Sequence, residues 1–451
     1  MNETDAQYEK MIETPIPRLI TSLAVPTVLS MLVSSAYNIA DTFFVAKTGA
    51  QGSAAIGVVF SVMALIQAIG FAVGMGAGST ISRLLGKQKE EEAAVIADSA
   101  VFLSLLLGGT LLLVGITWIE PWMRLLGASE TVLPYAVDYG RYIFLAAPVM
   151  TCALVLASLL RAQGQAKYAM FGIVSGSLLN VFLDPMLIFW AGLGIKGAAI
   201  ATAISQTVGL LILIVCVVRK KCQLTFSIKG ISRKPAPYRQ IAKQGFPSFL
   251  RQGLATIATV FLNRQARGFG DEAVAAMAIV GKIFMVFFCF VIGFGQGYQP
   301  VIGYNYGAKQ WKRVRHSFVF TLVTETFLML VLAVGGFLFA EQAMVLFMAK
   351  EREVVEIGTF ALRCQCVALI FVPLDVISNM TFQSIGENGK SAFLSACRQG
   401  IFFLPLIWVL PGIWGIMGIQ TSQAFADILA AVACVPFDIG FFRKIKEKAG
   451  A

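Results

Sequence analysis

Residues 70–88 read GFAVGMGAGSTISRLLGKQ, and residues 292–310 read IGFGQGYQPVIGYNYGAKQ. At an offset of 221 positions, Gly74 falls on Gly295, Gly76 on Gly297 and Gly86 on Gly307, and the same register sets Pro26 on Pro247. It returns late in the chain, where Gly194 and Gly197 of GLGIKGAA meet Gly415 and Gly418 of GIWGIMGI. Near RAQGQAK (161–167) and QSIGENGK (383–390) it slips by a residue or two. Identity between the halves is weak, but its position is consistent along the chain, which marks an internal duplication.

Both copies sit in apolar surroundings. Of 451 residues, 57% are hydrophobic and only 14% charged, against roughly a quarter charged in an ordinary soluble domain. Mean hydropathy is +0.76. A spanning helix needs about 20 apolar residues. Cutting at polar loops, Gly/Pro clusters and charge runs gives about twelve such spans, at 17–45, 52–82, 93–117, 134–160, 169–191, 196–218, 238–265, 273–303, 315–339, 355–382, 392–411 and 415–440. The chain therefore reads as an all-α integral membrane protein.

The net charge of +11 is explained by topology rather than by nucleic acid. Arg83, Lys87 and Lys89 follow the second span, Arg161 and Lys167 the fourth, and Arg219, Lys220, Lys221, Lys229, Arg233, Lys234 and Arg239 the sixth. Lys309, Lys312, Arg313 and Arg315 follow the eighth, and Arg443, Lys444, Lys446 and Lys448 lie near the end. Alternate loops hold few basic residues, so both termini are expected in the cytoplasm. The N-terminal MNETDAQYEKMIETP lacks a basic n-region and a small-residue cleavage site, so the first span is expected to remain as an anchor.

Six spans per half return the chain to the same side. The repeats then run parallel, as two six-helix bundles related by a pseudo-two-fold axis normal to the membrane. The expected lobes are residues 1–222 and 241–451, joined by a basic cytoplasmic linker at 223–240. Two bundles facing each other across a cavity suit alternating access.

One histidine, His316, excludes a His-rich metal centre or a Ser/His/Asp triad. The eight cysteines lie mostly in apolar windows and read as packing residues. No DDxxD, no HExxH and no serine/histidine dyad within the spans is present, so the chain is not read as an enzyme.

The carboxylates are more informative. Asp41 lies inside the first span, where insertion costs about 2.5–3.5 kcal/mol, and such residues usually face the bundle interior or water. Tyr37 and Asn38, one turn earlier, share its face. The alternative is an Asp bonded to a helix break near the interface, since Lys47 and Gly49 follow. Asn180 and Asp184 share a face of span five, and Pro185 frees carbonyls one turn earlier; the alternative is a polar clamp between helices. Two carboxylates in one pocket cannot both ionise easily, the property a proton carrier needs. At the 221 offset Asp41 falls on Leu262, and Asp184 falls near Ile407, so ion chemistry is expected in the first half only. In the second half Asp375 is the best functional candidate, with Lys282 as its expected partner. Glu325, Arg363 and Arg398 read as interfacial or paired charges, and Asp427 stays open.

YNIADTFFVAKTG (37–49), GMGAGSTISRLLG (74–86), RAQGQAK and SLLNVFLDPMLIF (177–189) together resemble the MATE (multidrug and toxic compound extrusion) family, on its bacterial MepA-like or DinF-like side. The resemblance covers nearly the whole chain, and LNVFLDPMLIF is its most specific element. It implies cation-coupled antiport of bulky, mostly cationic organic compounds across the bacterial cytoplasmic membrane. It also implies a cation site at Asp41, Asn180, Asp184 and Thr202, all hard oxygen donors suited to Na⁺ or to a shared proton. Met31, Tyr37, Asn38, Gln206, Lys282 and Asp375 are candidate substrate contacts. No cofactor is expected beyond the coupling ion, H⁺ or Na⁺. The expected partners are small organic cations and the lipid bilayer, and a monomer suffices because both lobes lie in one chain. The competing function is a flippase for a lipid-linked saccharide, which would depend on a cationic cavity.

Overall fold

The computed structural model describes residues 3–219, 230–348 and 351–450. Among them every regular element is a helix. The first half runs α1 (Glu3–Glu13), α2 (Ile16–Ala46), α3 (Ala50–Gly86), α4 (Glu90–Thr117), α5 (Ile119–Leu125), α6 (Leu133–Ala162), α7 (Ala166–Pro185, continued by a π-helical turn at Met186–Trp190) and α8 (Ile195–Val218). The second runs α9 (Pro235–Arg267), α10 (Asp271–Gly307), α11 (Trp311–Leu338), α12 (Ala340–Phe347), α13 (Arg352–Leu369), α14 (Val372–Ile385), α15 (Asn388–Ala396), a π-helical segment (Cys397–Phe403), α16 (Leu404–Trp414) and α17 (Ile416–Gly450).

Each of the twelve spans read from the sequence falls on one of these helices or on a broken pair. Ten helices are long and apolar enough to cross a membrane, and α13 with α14, bent by 50°, adds an eleventh. The twelfth, α9, has 33 residues, about 50 Å of helix, but carries Arg239, Lys243, Arg251, Arg264 and Arg267. Arg264 and Arg267 lie in its last turn, and Arg239 and Lys243 within its first nine residues, from where long basic side chains reach toward the interface. α9 begins at Pro235, inside the stretch assigned to the linker; residues 223–229 of that linker, with Lys220, Lys221, Lys229 and Cys222, lie outside the described residues.

The duplication is structural. α3 and α10 begin at 50 and 271 and end at 86 and 307, and α4 and α11 begin at 90 and 311 and end at 117 and 338, all 221 apart. The connections repeat too: Gly194 (φ 54, ψ −134) and Gly415 (φ 59, ψ −134) enter α8 and α17 in a conformation that suits only glycine.

Three cores define the arrangement. At the end carrying both termini, one continuous core draws on both halves, including Met11, Ile20, Val73, Leu160, Ile241, Tyr298, Phe318, Phe382 and Phe441. At the far end the core divides. Val59, Ile66, Tyr139, Phe144 and Ile195 pack within the first lobe, while Ala258, Val280, Met329, Leu362 and Ile407 pack within the second. The lobes are thus joined most extensively at the terminal end, while Met75 and Phe71 of α3 also reach into the second lobe's core.

The join is a seam of α3 on α9 and α2 on α10. A β-carbon on Gly76 would meet the Gly245 backbone nitrogen at 2.7 Å, and one on Gly297 would meet the Ala24 backbone at 2.5 Å. These two contacts are the same contact under the repeat, because Gly297 and Gly245 lie 221 positions beyond Gly76 and Ala24. Only glycine lets the backbones approach so closely. Arg83 donates to Gln244 across the seam at 3.3 Å. Below it, α1 lies across both lobes: Gln7 donates to the Gln163 carbonyl (2.9 Å), while Asn305 and Arg313 donate to the Met11 (3.3 Å) and Thr14 (2.7 Å) carbonyls.

Candidate functional site

Asp41, in the far half of α2, is buried, and its Oδ1 has no hydrogen-bond partner among the described residues. α2 packs along α7, which brings it against Asp184, itself fully buried. The two carboxyl groups lie within electrostatic reach of each other. Asn180 bridges the second acid to α8. With its amide oriented to satisfy both ends, the nitrogen donates to Asp184 Oδ2 at 3.1 Å and the oxygen accepts from the Thr202 backbone N–H at 3.3 Å. Thr202 is buried beside it. Four residues separated by up to 161 positions thus form one oxygen-lined pocket inside the first lobe.

Local sequence explains the convergence. The i,i+4 spacing of Asn180 and Asp184 stacks them on one face. Pro185 follows, and the π-helical turn from Met186 lets the chain close back on α8 at Gly194. The unpartnered Asp41 oxygen decides what the pocket can do. A buried ionised oxygen without a donor or counter-ion is costly, and a bound cation or a shared proton would supply the missing partner. The donor set is two carboxyls, an amide and a hydroxyl, which fits Na⁺ or H⁺ and no soft metal. Among the described residues no cluster of three or more His, Cys, Asp or Glu side chains could hold a metal.

Two neighbours complete the pocket. Tyr37 is buried and lies within electrostatic reach of both acids, with Gln206 of α8 nearby. Tyr139 of α6 was not singled out from the sequence. It is fully buried near Asp41, Asp184 and Tyr37, and its hydroxyl is directed at Thr202 without a close hydrogen bond. No sequence signal singles it out, since Tyr135, Asp138, Arg141 and Tyr142 stand around it in α6.

Other sequence candidates lie elsewhere. Asn38 is half-buried and donates its amide to the Ser34 carbonyl of its own helix (2.8 Å). Met31 is ten residues before Asp41 on α2, about 15 Å along the axis.

Lys282 is not the partner of Asp375: it is exposed on α10, while the charges that act on buried Asp375 are Arg398, Asp427 and Arg251. Cys434 Sγ lies 3.7 Å from Asp375 Oδ1. The difference follows from helix facing, since Arg251 on α9 and Arg398 in the π-helical segment point inward where Lys282 does not. Asp427, open on sequence grounds, accepts from Arg398 Nε and Gln423 Nε2, both at 2.7 Å. Arg398 is the paired charge expected of it, and also lies over the Phe288 ring at 4.5 Å. Glu325 fits neither expected role: it is fully buried in α11, and neither oxygen has a hydrogen-bond partner or an ion pair among the described residues.

The symmetry-related positions carry no ion chemistry. Leu262 packs against the second lobe's core, and Ile407 is fully buried within it.

Comparison with known proteins agrees with this organisation. The MatE family model matches twice, over residues 26–186 and 247–409, one copy per lobe. The chain is 28% identical over 413 residues to the multidrug export protein MepA of Staphylococcus saprophyticus, covering 91% of each chain. The MepA protein of Staphylococcus haemolyticus is 26% identical, over 95% of this chain and 94% of that one. Among solved structures, an outward-facing multidrug resistance MATE transporter of the MOP superfamily superposes with a TM-score of 0.93 at 26% identity, covering 99% of both chains. A MATE transporter in complex with MaL6 gives 0.94 at 26% identity, covering 99% of this chain and 100% of that one. With twin six-helix lobes, a glycine seam and a family match in each half, the chain belongs to the MATE family of multi-pass membrane transporters.

Proposed function

We propose that the protein is an antiporter that exports organic cations and takes up H⁺ or Na⁺ in exchange. The observation that carries this reading is the Asp41–Asp184 pair, two carboxyl groups sharing one buried pocket with one oxygen unpartnered. The names of the MepA relatives, as multidrug export proteins, support the cargo class.

Asp41, Asn180, Asp184 and Thr202 would hold the ion, whose charge neutralises the acids. Asp41 rides on α2 and Asp184 on α7, so a partner shared between them draws those helices together. Organic cations and the coupling ion would compete for the same negative charge, and each shifts the lobes only by its differential affinity for the two states. The excess of Arg and Lys in the loops at the terminal end supports a cytoplasmic location for the seam. The far end, where the core divides, then faces outward. One chain supplies both lobes, which supports a monomer.

The test is efflux of ethidium from liposomes under a pH gradient alone and under a Na⁺ gradient alone. Efflux driven by either gradient, and lost in Asp41→Asn, is the expected result and names the ion. Behaviour independent of both gradients would instead favour a flippase of the wider superfamily.

A further inference from the structure

Away from the carboxyl pocket, the seam holds a second polar site. A small cleft lies between the lobes, lined by Ser79 and Ser82 of α3, Arg161 of α6, and Gln296 and Gln299 of α10. Arg161 is only 5% exposed. Its one hydrogen bond is from Nη2 to Ser158 Oγ (2.9 Å), it makes no ion pair among the described residues, and no carboxylate acts on it. Gln296 is 2% exposed, and neither its amide nitrogen nor its amide oxygen has a partner among the described residues. Ser82 donates within its own lobe, to the Gly78 and Ala162 carbonyls.

A guanidinium has five N–H donors in a fixed fork. Here Arg161 and the unpartnered Gln296 amide line the same cleft. Leaving a buried charge uncompensated costs several kcal/mol. Water offers acceptor oxygens but no countercharge. We infer that this cleft is a binding site for a small monovalent anion, of which chloride is the simplest.

The lining is divided between α3 and α6 of one lobe and α10 of the other. The site is complete only while the seam is closed, so an anion bound there favours that state by mass action. Opening the seam would hydrate Arg161 and release it.

The test uses the purified full-length protein in detergent, with sodium chloride replacing sodium gluconate at constant Na⁺ and ionic strength. Holding Na⁺ constant keeps the carboxyl pocket out of the measurement. The expected result is a saturable rise in melting temperature of about 2–4 °C, reproduced by bromide and absent in Arg161→Gln. Gln296→Leu should raise the chloride midpoint by roughly tenfold, the loss of one charge-assisted bond. A flat wild-type response overturns the proposal, and so does an equal rise in Arg161→Gln. Should Arg161→Gln fail to fold, an unchanged midpoint in Gln296→Leu overturns it.

Discussion

Asp41 and Leu262 occupy corresponding places in the two lobes, 221 positions apart, and one is a buried carboxyl with an unpartnered oxygen while the other packs into hydrocarbon. The duplicated scaffold is symmetric, and the ion pocket breaks the symmetry. Asp184→Asn should therefore abolish gradient-driven ethidium efflux while leaving membrane insertion intact. An Ile407→Asp variant should not restore transport to Asp184→Asn, because the second lobe lacks the Asn180 and Thr202 partners. Efflux above about a tenth of wild type in Asp184→Asn would sink the assignment.

Tyr139 offers a finer probe. Its hydroxyl makes no full-strength hydrogen bond, so Tyr139→Phe should change stability by less than about 1 kcal/mol. The same change removes a polar group from the acids' surroundings. The half-saturating concentration of the coupling ion should shift several-fold with little change in melting temperature. A large fall in stability with unchanged ion dependence would make Tyr139 a packing residue.

The seam glycines should be interchangeable in their cost. Gly76→Val and Gly297→Val each push a side chain against the opposite lobe's backbone, and each should lower the melting temperature by several degrees and reduce efflux. Since the two contacts are related by the repeat, the losses should be similar. A severe effect at one position beside a neutral one would mean that the seam is not a symmetric pair of contacts.

Arg398 and Asp427 form a buried ion pair, Nε to Oδ1 at 2.7 Å. Removing one partner, as in Asp427→Leu, leaves a buried guanidinium unpaired and should cost about 3–5 kcal/mol. The double variant Arg398→Met with Asp427→Leu should recover most of that in a thermodynamic cycle. Additive losses would show that the two side chains act independently.

At the turn between α14 and α15, burial pushes the Glu387 carboxyl up, but Lys390 at 2.5 Å and Lys444 at 2.6 Å outweigh it and hold it below the usual carboxylate range. A carboxyl depressed in the folded state contributes stability above its unfolded value, about 4.3, and loses it as pH falls through the folded value. Glu387→Gln should thus be slightly less stable than wild type at pH 7, by under about 1 kcal/mol because both lysines are half-exposed. The gap should close below about pH 4; a difference that persists in acid would rule the clamp out.

The sequence by itself determined where the long apolar helices lie and the duplication, because apolar length and glycine spacing act locally and repeat wherever the backbone must turn or come close. It also placed Asp41, Asn180 and Asp184, since a carboxyl in an apolar span has few places to face. It could not say which charge meets which across the bundle. Lys282 looked like the partner of Asp375 by position along the chain, yet Arg251 and Arg398 are the cations that reach it. Tyr139 and the Arg161–Gln296 cleft were likewise invisible, since they depend on the rotation of α6, α8 and α10 about their own axes. Those rotations are fixed only when the lobes pack, because the hydrophobic pattern of a membrane helix hardly distinguishes its lipid face from its protein face.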